Sequence, residues 1–428
     1  MATFDEIFEQ ARLESIEPGN LALMLVENSF SKIEVSLTSK QKKQIKELVS
    51  QEFFSKNSFV ETEIKFNRNQ AKLAKSNCID DLEAYLQEAI DEMPHFVDKI
   101  VEDYDEIVVE SMTNCAESTA TKMAKEIHKK YKSIARSQDK SRKHVYGEVR
   151  RPWKAPLALL RVYLSFAYEI WLNSLEFKDT DDPCDEPNKF EAITRIASRS
   201  IQISEEILLL LNHGYADGAQ GRWRSLHELA VYSCFLSDND DELSERYLNH
   251  EKIEHWKAVI KYNEHCAKFD GDFILSDDVN QAKEEADSLL ELYGSSYKNE
   301  RGWAAKCLDE KNPTFKNIEE KSGLEHFRPN YTDSNNNIHA GALSIISRLG
   351  LYEDEQDFSL LSGPSYIGLS YPAQSMITSI SQVVFSAITI IPSMDNIVAG
   401  KTLMALGDLA IDLFLSTESD IIEGDDIT

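Results

Sequence analysis

Glycine and proline are scarce in this chain, 16 and 11 of 428 residues. An all-β sandwich or barrel needs many tight turns, and turns draw on those two residues, so that class is excluded. No segment shows the two-residue alternation of a strand. The six cysteines (Cys78, Cys115, Cys184, Cys234, Cys266, Cys307) are scattered without a CxxC pair, which excludes a zinc ribbon and a disulfide framework and fits a reducing compartment. The N-terminus is acidic and lacks a basic stretch followed by an apolar run, so no secretory signal is read there. Walker, GxGxxG and GxSxG loops are missing, and no cofactor is implied. Met376 to Met394 is the stretch that raises a membrane question. Its apolar run is interrupted by Thr378, Ser379, Ser381, Gln382, Ser386, Thr389 and Pro392, so a buried core helix is expected. The expectation is a cytoplasmic protein without a membrane partner.

What is present is helical. Apolar residues make up 42% of the chain, enough for a large core. Leu21, Leu25, the Ile45/Leu48/Val49 cluster and Leu82/Tyr85/Leu86/Ala89/Ile90 recur at helical spacing in an N-terminal region of about 145 residues. Pro152 and Pro156 mark a boundary. A strongly apolar helix follows over 158–175, then the acidic loop 179–187 and further helices over 193–213, 216–236, 241–268 and 277–293. Gly214 and Gly294 are the expected stops, and Asp238 to Asp241 an N-cap. Asp333 or Ser334 is expected to cap a helix with the stripe Ile338, Ala342, Ile345, Leu349, ended by Gly350. One or two apolar helices after loop 352–372 complete an all-α bundle. The division expected is 1–150 as an N-terminal helical region, 155–418 as the main bundle and 419–428 as an acidic, frayed tail.

The net charge of −28 repels polyanions on average, but it is unevenly spread. Residues 122–154 hold twelve Lys/Arg against three acids, a local +9 that leaves −37 on the remainder. Lys129, Lys130, Arg142, Lys143, Arg150 and Arg151 in this run, with Tyr131, Tyr146 and Trp153 interleaved, suit a phosphate backbone and stacked bases of RNA or another nucleic acid. The simpler reading is a helix face that pairs with the chain's own acidic surplus.

Seven of the ten histidines lie between 213 and 339. Arg224 and Glu228, four apart, share a helix face, and Arg224 and His227 are also neighbours, whereas Arg222 and His227 point apart. A salt bridge that fixes helix packing is the simpler reading there. In Tyr331-Thr-Asp-Ser-Asn-Asn-Asn-Ile-His-Ala-Gly341, Asn335 and His339 are four apart near an expected helix start. His339 is a candidate general acid or base; a cap with a packing histidine is the alternative. His250-Glu-Lys-Ile-Glu-His255 spaces its histidines five apart, not the four of HExxH, so no metal site is expected.

Arg224-x-x-x-Glu228, the acidic helix 240–268, Tyr293-Gly294…Gly302-Trp303-Ala304 and Tyr331…Asn335-x-x-Ile338-His339-Ala340 together resemble a family of uncharacterised bacterial helical proteins that is HEPN-like. The resemblance covers about residues 158–350. It implies a helical bundle, often a homodimer, and for many HEPN proteins a metal-independent RNase acting in defence or toxin systems. Their Arg-polar-x-x-x-His motif falls here on Ser334-Asn335-Asn336-Asn337-Ile338-His339, with serine where the arginine belongs. The resemblance then implies His339 and Asn335 as catalytic, with Arg224 or Arg222 supplying the cation beside His227, Glu228 and Tyr331. A non-enzymatic helical module for protein or nucleic acid is the competing expectation.

Overall fold

The computed structural model describes residues 18–54, 64–91, 104–175, 185–269, 271, 273–351, 362–390 and 393–424, and every regular element among them is helical. The side chains of Leu21, Leu25, Leu48, Val49, Ala89 and Ile90, most of loop 179–187, residues 352–361 and the tail beyond 424 lie outside the described residues. The chain forms two compact units, 1–139 and 140–428.

In the first unit, α1 (Pro18–Lys32), α2 (Ser39–Phe54), α3 (Arg68–Ser76) and α4 (Leu82–Asp91) surround Val26, Phe30, Ile33, Ile45, Ile64, Leu82 and Leu86. Two buried glutamines tie the chain between them. Gln41 Nε2 donates to Lys65 O (2.9 Å) and Gln70 Nε2 to Ser36 O (2.7 Å). Gln70 also closes a capping box with Asn67, which satisfies the first amides of α3. The helix α5 (Tyr104–Arg150) follows.

The second unit is a bundle of α6 (Lys154–Leu175), α7 (Pro187–Asn212), α8 (Ala216–Ser237), α15 (Ser370–Thr389) and α16 (Met394–Glu423). Only residues 151–153 interrupt the chain between α5 and α6. Pro156 sits in the first turn of α6, where its missing N–H has no intrahelical partner to lose. Trp153 lies in the core, with Nε1 donating to Tyr366 O (2.7 Å) and its ring stacked on Phe414 at 5.5 Å. This corrects the expectation that it lies open to stack a base.

α7 ends at His213, and Gly214 adopts φ +76°, a left-handed turn that other residues pay to enter. Its own N-cap residue, Glu186, makes no side-chain cap. Asp241 supplies one from the start of α9, accepting from Lys189 N (2.8 Å) and Asn188 Nδ2 (2.7 Å). α9 (Asp241–Phe269) is itself capped by Asp240, whose Oδ1 accepts from Leu243 N at 2.9 Å. α10 (Ser276–Tyr293) packs on α9.

α15 buries Met376, Ile377, Ile380, Val383, Val384 and Ala387. The hydroxyls that break its apolar run receive buried aromatic groups: Trp223 Nε1 donates to Ser379 Oγ (2.9 Å), and Tyr163 OH lies 2.6 Å from Ser381 Oγ. Among the described residues one helix, α6, is long and apolar enough to cross a membrane, and it turns Leu157, Leu160, Tyr163 and Leu164 into the bundle core.

Short pieces follow: α11 (Ala305–Leu308), α12 (Phe315–Lys321), α13 (Arg328–Asp333) and α14 (Ala342–Ile346); α12 packs on α8, and α13 reaches it through Tyr331. Gly302 is required before α11, because a Cβ there would overlap the carbonyls of Ser296 and Tyr297. The continuous helix expected over 334–350 does not form. Ser334–Asn337 is a single 3-10 turn, Gly341 is extended, and α14 lasts five residues. Three consecutive asparagines compete with the helical backbone for hydrogen bonds, and Asn337 and Ile338 instead lie against Gly221 of α8. Ile338 and Ile345, expected on a core stripe, are exposed.

Candidate functional site

α8 presents two adjacent rows to the covering segments. Trp223 and His227, four apart, point inward, and Arg224 and Glu228 form the next row. Arg224 Nη2 donates to Tyr331 OH (2.6 Å), and Tyr331 OH donates to Glu228 Oε1 (2.5 Å). The guanidinium also lies over the Tyr331 ring, 4.7 Å from its centroid, and 3.4 Å from Glu228 Oε1. The phenol is therefore acceptor from a cation and donor to an anion. Burial, and then its bond to Glu228, push its pKa up, so it stays protonated.

Behind this row His227 is fully buried, ringed by Trp223, Phe315, Phe327 and Tyr331. Its Nε2 lies 2.9 Å from Glu319 Oε1, and Arg328 Nε lies 2.7 Å from the other carboxylate oxygen. Burial, with Arg328 and His326 adding to it, pulls the His227 pKa down to about 4. Burial pushes Glu319 up, against the pull of Arg328. At neutral pH the imidazole is therefore neutral, and Nε2–H donates to Glu319. Its Nδ1 has no hydrogen-bond partner.

The sequence candidates divide. Arg224, Glu228, Tyr331 and His227 come together. Arg222 is engaged elsewhere, pairing with Glu206 of α7 and donating to Ser225 Oγ at 3.2 Å. Asn335 follows one turn after Tyr331, its buried Oδ1 without a partner. His339 is exposed in the bend after the 3-10 turn, where its backbone N–H donates to Asn335 O at 2.9 Å. No helix N-terminus longer than one turn stands at either residue.

Beyond Glu228 a cleft of about 460 Å³ opens between α7, α8, α9 and the turn 300–303. Tyr232, Tyr247 and Trp303 line it in edge-to-face contact, with Tyr232 and Tyr247 centroids 5.3 and 4.9 Å from Trp303. Arg301 Nε donates to Tyr232 OH (3.1 Å), and its Nη1 pairs with Glu300 at 2.8 Å. His250 is buried with Nε2 toward Tyr297 O (3.1 Å) and Asn299 O (3.0 Å) and Nδ1 3.4 Å from Glu254. Its partner in the sequence motif, His255, is exposed. Among the described residues no three His, Cys, Asp or Glu side chains gather as metal ligands. Tyr232, Arg301 and Trp303 were not singled out for a site role from the sequence. The only signal was the Gly302-Trp303 pair, whose glycine permits the close turn that carries Arg301.

Residues 190–358 match a family of unknown function, DUF5677. The match begins in α7 and takes in both the Arg224–Tyr331–Glu228 cluster and the cleft. No curated protein and no solved structure matches the chain. The matched segment thus contains the Arg224–Tyr331–Glu228 cluster, the His227–Glu319–Arg328 group and the cleft, while α5, α6, α15 and α16 lie outside it.

The last candidates are on α5. All twelve Lys/Arg between 122 and 154 are exposed. The ion pairs formed by this run are local, Lys129 and Lys130 with Glu126 and Arg151 with Glu148. At about 100° per residue, Lys122, Lys125, Lys129, Lys132, Arg136, Lys140, Lys143 and Arg150 fall within about 80° of arc, and Arg151 lies past the end of the helix. The acids 126, 139 and 148 fall outside that arc, as do Lys130 and Arg142. Tyr131 is exposed about 100° beyond the edge of that arc and so does not interleave with the stripe, and Tyr146 packs edge-on against His213 at 4.7 Å.

Proposed function

We propose that the chain is a helical binding module that takes a polyanion, RNA foremost, along the basic stripe of α5. The observation that carries this is the alignment of eight exposed cations on one helix face, with the acids of the run off that face, in a chain of net charge −28. The stripe from 122 to 150 is about 42 Å long at ~1.5 Å per residue, about one cation per helical turn. Such a row follows a phosphate backbone without reading its sequence. The test is fluorescence anisotropy of single-stranded RNA against the full chain over a range of salt. Replacing Lys129, Lys132, Arg136 and Lys140 together by glutamate is expected to weaken binding at least tenfold and to flatten the log–log salt slope by about 3. An unchanged slope would refute the reading.

A second reading keeps the HEPN likeness: an RNase-type effector of bacterial defence or toxin systems, a homodimer in the HEPN manner, with His339 acting on a ribose 2′-hydroxyl. What supports it is the free, exposed imidazole of His339. Against it, Arg224 is already held by Tyr331 and Glu228, so the stabilising cation must come from elsewhere. RNA cleavage in EDTA by the wild type and not by His339→Ala supports this reading; no cleavage by either removes it.

A further inference from the structure

The cleft beside Glu228 is not used by the nucleic-acid reading, and its chemistry differs from that of α5. Its α7 side carries Arg195 and Arg199, one turn apart and exposed. Its α9 side carries Glu251 and Glu254, also exposed. No ion pair joins the two sides. Arg195 turns to Glu191 on its own helix (2.7 Å) and Arg199 to Gln202 (2.7 Å). The aromatic base of Tyr232 and Trp303 lies between helices that bear opposite charges.

We propose that this cleft binds a small zwitterion of the α-amino acid type, with an apolar or aromatic side chain. The arginine pair suits a carboxylate, since two guanidinium groups at one-turn spacing offer several N–H donors to its two oxygens. Glu251 and Glu254 suit the ammonium. The buried imidazole of His250 beside Glu254 holds that carboxyl below the usual carboxylate range, so it remains an anion. The ring edges and faces of Tyr232 and Trp303 receive the side chain.

Charge decides against a nucleotide. The lining places Arg195, Arg199 and Arg301 against Glu228, Glu251, Glu254 and Glu300, one acid in excess, which repels a polyphosphate but suits a ligand with no net charge. Size agrees, because 460 Å³ lies in the low part of the range of about 300–1,000 Å³ typical of small-ligand sites.

The test is isothermal titration calorimetry of the full chain with the standard L-amino acids, each up to about 10 mM. L-tryptophan and L-phenylalanine are expected to bind, and N-acetyl-L-tryptophanamide, which has the side chain and neither charge, is expected not to. Arg199→Gln and Glu251→Gln are each expected to weaken the amino acid about tenfold or more while leaving the melting temperature unchanged, since both side chains are exposed. RNA binding by the same variants should be unaltered, so failure here and failure of the α5 reading are separable. The proposal is overturned if no amino acid binds, if the uncharged amide binds as well as the free amino acid, if neither variant changes affinity, or if ATP binds in preference.

Discussion

Acid should loosen the second unit through His227. The side chain is fully buried, and its pKa falls from the usual 6.5 to about 4 on folding. The unfolded chain therefore binds a proton that the native one refuses. That contribution to stability is whole above about pH 6.5 and is lost as pH falls toward 4. At about 1.36 kcal/mol per pH unit the full loss is ~3 kcal/mol, and by pH 5 it is ~2 kcal/mol. Glu319 works in the opposite sense, since its raised pKa means that the native state takes up a proton more readily. A His227→Gln variant separates the two, because the amide still donates to Glu319 but cannot be charged. Arg328, His326, Glu320 and Glu325 remain in both proteins. Urea unfolding from pH 7.5 to 4.5 should show the wild type losing about 2.5 kcal/mol more than the variant over that range. Parallel pH curves would refute the reasoning, because they would mean that His227 carries the same proton in both states.

Tyr331→Phe removes the hydroxyl between Arg224 and Glu228. Those two still face each other at 3.4 Å, so the cost should be near the lower end of the range for hydrogen bonds to charged groups, about 1.5 kcal/mol, read as a lower urea midpoint. Gly302→Ala drives a Cβ into two backbone carbonyls that no rotamer can clear. It should cost at the top of the range of about 1–3 kcal/mol for overpacking, and a thermal melt equal to wild type would contradict that placement. Trp153→Ala empties a fully buried indole site against Phe414. About 3–5 kcal/mol is expected from chemical denaturation, and a cost under ~1 kcal/mol would place the ring outside the core.

The helices legible in the sequence were those with one apolar face and a clear stop. α7, α9 and α10 fall where Ile196, Ile207, Gly214, Asp240 and Gly294 place them. Periodicity reports one-sided burial, and α8 is buried on several sides, so spacing revealed Arg224 and Glu228 as neighbours but not the Tyr331 hydroxyl between them, 103 residues from Glu228. Glu319 gave no local sign of its role, since its partner His227 is 92 residues away. The 334–350 segment departs from its helical apolar spacing because Asn335 to Asn337 and Gly341 favour turns. The basic run was visible as composition. Its alignment into a stripe became clear only once α5 was continuous through it.

The hydroxyls of α15 have a consequence for the order in which the chain can be completed. Trp153, Tyr163 and Trp223 all emerge from the ribosome well before Tyr366, Ile377, Ser379 and Ser381, the groups that receive their polar atoms. Until those arrive, each aromatic must keep its N–H or O–H in water or bury it at a cost of about 1–3 kcal/mol. The DUF5677 segment stops at residue 358, short of all four. Cut out alone, it would carry the cluster and the cleft yet leave the Trp223 indole without its acceptor.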